Sequence, residues 1–358
     1  MSRRVLLTVS GTIPGDLAER VTQGCQPRPD YMELARAFDA DVLDLGEVVR
    51  TSGRSVRLAA RWLGVGVALA WVCFRRRHSY QLVVTDGEQV GLPLAALLRL
   101  FPSRRPQHVM IAHLMSVRKK AVPFRTFRLA ACIDRMIVYA SCQADYVVEA
   151  LGYPRERIVL TPFMVDSAFF APVSRRRGDP PLVVSAGLEF RDYPTLLEAV
   201  RDLDVRVVLA AASPWSRRRD TTGDTTLPPN VEVRRLNLAD LRALYTDADL
   251  VVVPVVETMF QAGITTILEA MSMGKPVLCT RTLGQTDTVI DDETGVYVPP
   301  GDAAAMRSAI LSLLDDAGRA ARLGAAARRW VEQHADIEVY AHRLADVVIG
   351  ELGAVRET

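Results

Sequence analysis

One carboxylate stands in an apolar helical run where packing gives it no purpose. Residues 261–278 read QAGITTILEAMSMGKPVL, and Glu269 lies among Ile267, Leu268, Ala270 and Met271. The run opens on Gly263-Ile264-Thr265-Thr266. A helix N-terminus carries N–H groups with no intrahelical partner and the positive end of the helix dipole, so this stretch suits an anionic ligand such as a phosphate. Other side chains able to do chemistry follow apolar, strand-like runs. They are Gly11-Thr12 after VLLTVS, Asp86-Gly87-Glu88 after LVVT, His113 after HVMIA, and the 186–191 and 257–266 loops. In open α/β sheets ligands bind outside the carboxyl ends of the strands, so these residues are expected to converge on a site.

The elements that must position them alternate. VLLTVS (5–10), LVVTD (82–86), HVMIAH (108–113), RMIVYA (135–140) and IVLTP (158–162) read as buried parallel strands, with amphipathic helical stretches between them. The pattern restarts at LVVSAG (182–187) and continues through RVVLAA (206–211), VEVRR (231–235), LVVVPV (250–255), PVLCT (276–280) and GVYVPP (295–300). Residues 168–181, rich in Pro, Gly and Arg, read as a linker. The expected architecture is α/β: a Rossmann-like domain over 1–170, a second over 171–335, and a C-terminal helix over 336–358 packing back on the first domain.

Composition bounds the setting. A chain of 358 residues, 49% hydrophobic and 24% charged, buries a substantial core and has room for two domains. The N-terminal MSRRVLLTVSGT lacks a signal pattern, which points to a cytoplasmic protein. Five scattered cysteines without CxxC spacing suggest neither disulfides nor a zinc site. The net charge of +2 hides an asymmetry: residues 1–172 carry 23 Lys+Arg against 15 Asp+Glu, and residues 173–358 carry 21 against 27. The basic clusters Arg75-Arg76-Arg77, Arg104-Arg105, Arg118-Lys119-Lys120 and Arg125 with Arg128 all fall in the first half. Without interleaved aromatics or a recognition-helix pattern they argue against nucleic acid and fit an anionic membrane surface or substrate better, with a solvated face as the commonest alternative. Residues 62–74, WLGVGVALAWVCF, fall short of the roughly 20 apolar residues a span needs, so this reads as a core helix or one lying at a membrane interface beside Arg57, Arg61 and Arg75-Arg76-Arg77.

Four segments resemble, in order and spacing, the retaining glycosyltransferases of family 4 (glycosyl transferases group 1), which have the GT-B fold. They are ASCQADYVVEALGYPRERIVLTPFMVD (140–166), SAGLEFRDYPTLLEA (185–199), LADLRALYTDADLVVVP (238–254) and QAGITTILEAMSMGKPVLCTRTLGQTDTVIDDETGVYVPPGD (261–302). The resemblance implies two Rossmann-like domains facing a cleft, a nucleoside-diphosphate sugar (UDP- or GDP-type) as donor, and transfer to an acceptor hydroxyl with retention of configuration. It implies no cofactor and no metal, and no Asp-x-Asp motif is placed at the expected site. Gly187, Arg191, Gly263, Ile264, Thr265, Thr266 and Glu269 would hold the donor, with Glu269 accepting from the ribose hydroxyls. His113 would face the donor sugar and the attacking group, and Gly11, Thr12, Gly15 and Asp86 would form the phosphate and acceptor loops.

Two positions depart from the family pattern. The glutamate normally found eight residues before Glu269 is Gln261 here, an amide that donates and accepts hydrogen bonds but carries no charge. The loop Gly187-Leu188-Glu189-Phe190-Arg191 lacks the first of the usual two basic residues, leaving Arg191 to grip the diphosphate. The expected acceptor is a glycolipid or polysaccharide precursor or a secondary-metabolite aglycone, met in the bacterial cytoplasm or peripherally at the inner face of an anionic membrane. Alternatives are a GT-B epimerase or phosphorylase, or a non-catalytic binding subunit. A nicotinamide oxidoreductase is disfavoured because G-x-G-x-x-G is missing after the first strand.

Overall fold

A computed structural model describes residues 5–51, 62, 64–103, 105–175, 177–210 and 227–357. Arg57, Arg61, Leu63, Arg104 and Ala211 lie outside the described residues. The chain divides into two units, one of Met1–Glu19, Arg28–Thr161 and Tyr340–Thr358, the other of Arg20–Pro27 and Pro162–Val339. The change of unit nearest the expected 170/171 falls at 161/162. Phe169 and Phe170, inside the 168–181 stretch that suggested a linker, are buried in the second unit's core.

In the first unit six parallel strands, β1 (Val5–Val9), β2 (Asp41–Asp44), β3 (Leu82–Asp86), β4 (Gln107–Ile111), β5 (Arg135–Val138) and β6 (Ile158–Leu160), form a sheet in the order β2-β1-β3-β4-β5-β6. Five of these are the expected runs. The sixth, β2, is an edge strand of sequence DVLD with only Leu43 buried. The apolar run before β3 forms the Val65–Arg76 helix, with Ala68, Leu69, Ala70, Val72, Cys73 and Phe74 buried in the core. No helix among the described residues is long and apolar enough to cross a membrane. The C-terminal Ile337–Glu357 helix ties to this unit through Tyr340, whose hydroxyl meets that of Tyr139 at 2.9 Å, and Glu351, which accepts from Arg135 at 2.6 Å.

The second sheet contains β7 (Leu182–Ala186), β8 (Arg206–Ala210), β9 (Val231–Arg234), β10 (Leu250–Val253), β11 (Val277–Thr280) and β12 (Val296–Val298), all parallel, in the order β12-β11-β10-β7-β8-β9. Side chains alternate across a strand, and both faces here are covered. Val251 and Val253 enter one core with Ile267, Leu268 and Met271, while Leu250 and Val252 enter another with Leu196, Ile310 and Leu313. In each sheet the strand order reverses at one place, between β1 and β3 in the first and between β7 and β10 in the second. Such switch points open a crevice at the carboxyl ends of the two strands.

Candidate functional site

The second switch point carries a pocket of about 550 Å³. Gly187, Arg191, Gln261, Gly263, Ile264, Thr265, Thr266 and Glu269, scattered over 80 residues of sequence, all line it. The loop after β7 supplies the first two, and the segment from β10 into the Ile264–Ser272 helix supplies the rest. Gly263 precedes that helix in left-handed backbone (φ +80°), and a Cβ there would lie 2.8 Å from Val253 Cγ1 and 3.1 Å from Arg191 Nη1. Glycine is therefore required twice, for its backbone and for the close approach of the arginine.

Arg191 is held by neutral oxygens. Its Nε donates to Ala186 O at 2.8 Å, Nη1 to Glu189 O at 3.1 Å and Nη2 to Thr266 Oγ1 at 3.1 Å. Among the described residues no carboxylate forms an ion pair with it. Burial pulls its pKa below the ordinary arginine value. A guanidinium held beside a helix N-terminus by neutral oxygens, with Glu269 acting on it only at longer range, can receive an anion.

One turn into the helix, half-buried Glu269 accepts from Tyr245 Oη at 3.0 Å through Oε2. Burial pushes its pKa up from 4.5 to about 7, against the opposing pull of the Tyr245 hydroxyl and Arg191. Gln261 is 7% exposed. Its Nε2 donates to Thr288 Oγ1 at 3.4 Å, and its Oε1 is buried with no partner among the described residues. A buried carbonyl oxygen left unpaired costs free energy unless a ligand donates to it.

Several pocket residues escaped the sequence reading. Leu236, Asn237, Leu238 and Leu241 line one wall of the pocket, and Arg20 and Gln26 come from the short N-terminal segment that groups with this unit, while Phe190 and Phe260, from the expected 186–191 and 257–266 loops, pack edge to face at 5.0 Å. The wall lies in LNLADLRALY, where leucines at helical spacing look like ordinary core. Phe190 has φ 58°, a left-handed conformation rare for a bulky residue. That was not visible in sequence.

The remaining candidates belong to the first unit. At its switch point Ser10 Oγ donates to Asp86 O at 2.8 Å, joining the ends of β1 and β3. His113 follows β4, its Nε2 2.9 Å from Asp86 Oδ1 and its ring 5.5 Å from that of Tyr139. Burial works against the imidazolium, but Asp86, Glu88 and Asp30 outweigh it and hold the His113 pKa above its ordinary value. Asp30 was not singled out from sequence; burial and Asp86 push its carboxyl up to about 6. Gly11 and Thr12 are exposed, in a loop tethered by Leu45 N–H to Gly11 O at 3.0 Å and Ile13 N–H to Asp44 Oδ2 at 2.8 Å. Nothing lies within 4 Å of a Cβ built on Gly11 or Gly15, so the fold itself does not demand glycine at either position.

Comparison with known proteins agrees with this geometry. Residues 188–316 match the family described as glycosyl transferases group 1. The D-inositol 3-phosphate glycosyltransferase of Kineococcus radiotolerans is 27% identical over 255 residues, which cover 60% of this chain and 58% of that protein. The chain spans between 22% and 58% of the length of the first curated relatives it matches. Sucrose-phosphate synthase from Thermosynechococcus elongatus superimposes over 98% of this chain and 100% of its own, with a TM-score of 0.74 and 19% identity. Anabaena HepE in complex with UDP-glucose does so over 97% and 99%, with a TM-score of 0.71 and 16% identity. The fold is that of GT-B glycosyltransferases, two Rossmann-like units each built on a parallel sheet.

Proposed function

We propose that this protein is a metal-independent, retaining glycosyltransferase that binds a UDP- or GDP-sugar in the second unit's pocket. The observation that carries this reading is the Arg191 guanidinium, hydrogen-bonded only to neutral oxygens and fixed beside the N-terminus of the Ile264–Ser272 helix, with Glu269 one turn further on. The HepE complex with UDP-glucose supports a nucleotide sugar as ligand. In this reading Arg191 and the helix N–H groups take the diphosphate, Glu269 accepts from the ribose hydroxyls, and the Leu236–Leu241 wall meets the base. Gln261 Oε1 accepts from a hydroxyl of the donor sugar.

As the glycosidic bond lengthens, negative charge collects on the leaving diphosphate. Preorganised donors aimed at that charge lower the barrier. The departing phosphate oxygen takes the acceptor's proton. We assign His113, oriented by Asp86, to hydrogen-bonding the reacting sugar, and Gly11, Thr12, Gly15 and the first unit generally to the acceptor. The test is incubation with a panel of UDP- and GDP-sugars and acceptors from a bacterial extract. Acceptor-dependent release of nucleoside diphosphate, with the anomeric configuration retained by NMR, is the expected result, whereas release of an epimerised sugar or a sugar phosphate favours the epimerase or phosphorylase reading.

We further propose a lipid-linked acceptor met at an anionic membrane surface. Trp71, Leu100 and Phe101 are exposed, and the Phe74 ring lies 6.1 Å from that of Trp71 and 5.6 Å from that of Phe101. Exposed Arg75, Arg99, Lys119, Arg125 and Arg128 belong to the same unit. The basic clusters are not uniformly outward. Arg76 pairs with Glu47 at 2.8 Å, Arg77 lies over the Phe74 ring at 3.9 Å, and Lys120 turns inward to Glu88. Co-sedimentation with anionic vesicles is therefore expected to fall in an Arg75/Lys119/Arg125/Arg128 quadruple alanine variant, and to fall with salt, each charge contributing about 1 kcal/mol near the surface. Absence of binding to anionic vesicles at low salt would assign a soluble acceptor.

A further inference from the structure

We propose that the ion pair of buried Glu88 with half-buried Lys120, together with Gln143, is a positioning device for His113. The inference rests on the reading of His113 as the imidazole that meets the reacting sugar. Sheet pairing ends just before this residue: Ile111 is the last residue of β4 paired with β5, and Ala112 N–H donates to Ile137 O at 2.8 Å. Beyond that point side chains hold the main chain. Glu88 Oε2 accepts the His113 N–H at 2.9 Å, and Gln143 Nε2 donates to His113 O at 2.7 Å. Lys120 Nζ bonds Glu88 Oε1 and also donates to Leu114 O at 2.8 Å. The residue is thus gripped at its N–H, at its C=O and at the next C=O by side chains of the Glu88–Leu100, Arg118–Thr126 and Ser141–Glu149 helices. Asp86 fixes the ring.

Stability alone does not account for this arrangement. Glu88 is 4% exposed and Lys120 half-buried, and taking the carboxylate out of water gives back in desolvation much of what the pair gains in attraction. What the ions add is direction: each meets a main-chain group next to the imidazole. The choice of lysine fits. Only Lys119, Lys120 and Lys275 occur among 44 basic residues, and Lys275 also spans two oxygens, Thr246 O at 2.7 Å and Ala248 O at 3.0 Å. A compact ammonium reaches two convergent acceptors where a planar guanidinium needs more room.

The experiment is a double-mutant cycle in the full-length protein, reading nucleoside diphosphate release from a UDP- or GDP-sugar. Glu88→Gln and, without any buried charge, Gln143→Leu should each lower kcat by about tenfold or more with KM for the donor little changed, because misplacing a reacting group by a fraction of an ångström has such costs. In a His113→Ala background the same substitutions should cost nothing further. Full parental kcat in both variants, or losses that add in full to that of His113→Ala, would overturn the proposal. Ring resonances of His113 provide a readout independent of turnover, and one that survives if the protein transfers no sugar at all. They should shift and broaden in both variants, while those of His108, buried between Thr85 Oγ1 and Cys132 O at 3.0 Å each, stay in place. Unmoved His113 signals, or His108 moving equally, would overturn the proposal without bearing on the glycosyltransferase reading.

Discussion

Replacing Glu269 by alanine is expected to weaken nucleoside diphosphate binding by on the order of 2–4 kcal/mol, the worth of two charge-assisted hydrogen bonds to adjacent ribose hydroxyls. Calorimetry with UDP and GDP measures this directly, and unchanged affinity would remove Glu269 from the site. The isosteric Glu269→Gln variant should raise the stability of the folded chain at neutral and alkaline pH. The folded protein holds a proton on Glu269 up to about pH 7, while the unfolded chain releases it near the ordinary 4.5. Between those values the native state binds more protons, so stability falls as pH rises through the window and the full cost is present above it. Glutamine removes that cost. At pH 8 the variant should be more stable than the parent by roughly 2 kcal/mol, and near pH 4 the two should unfold together. A group kept at the expense of stability is one retained for a ligand.

Arg191→Ala is expected to lose about 2–3 kcal/mol of affinity for the diphosphate and far less for the bare nucleoside, since only the former presents the charge that the guanidinium meets. The three hydrogen bonds that aim Arg191 come from a planar fork, so Arg191→Lys should recover little of the loss. Equal losses for both ligands would show that Arg191 only braces the Ala186–Glu189 loop against Thr266.

Much of this was legible in sequence because buried parallel strands announce themselves as unbroken apolar runs. The eleven expected runs became strands, although β6, at its sheet edge, buries none of its three residues and VEVR alternates. The twelfth, DVLD, sits at a sheet edge, where a strand buries little and its acids look like loop. The second unit's pocket was legible where its residues sit at strand ends or before a helix, as with Arg191, Gly263 and Glu269. Its wall at Leu236–Leu241 was not, because lining and core leucines have the same spacing. Pairings between distant elements were also invisible. Asp30, 56 residues before Asp86, carries no local mark of facing it, and Lys120 within Arg118-Lys119-Lys120 reads as surface charge although it reaches inward to Glu88. The left-handed Phe190 is likewise a tertiary effect, imposed where the β7 loop turns Arg191 back toward Ala186 O.

The most direct test of the central claim is hydrogen exchange of the full chain with and without UDP or GDP. The account predicts protection at residues 186–191, 236–241 and 261–269, lost in Glu269→Ala and Arg191→Ala. No protection by either nucleotide, or protection confined to the first unit, would contradict it.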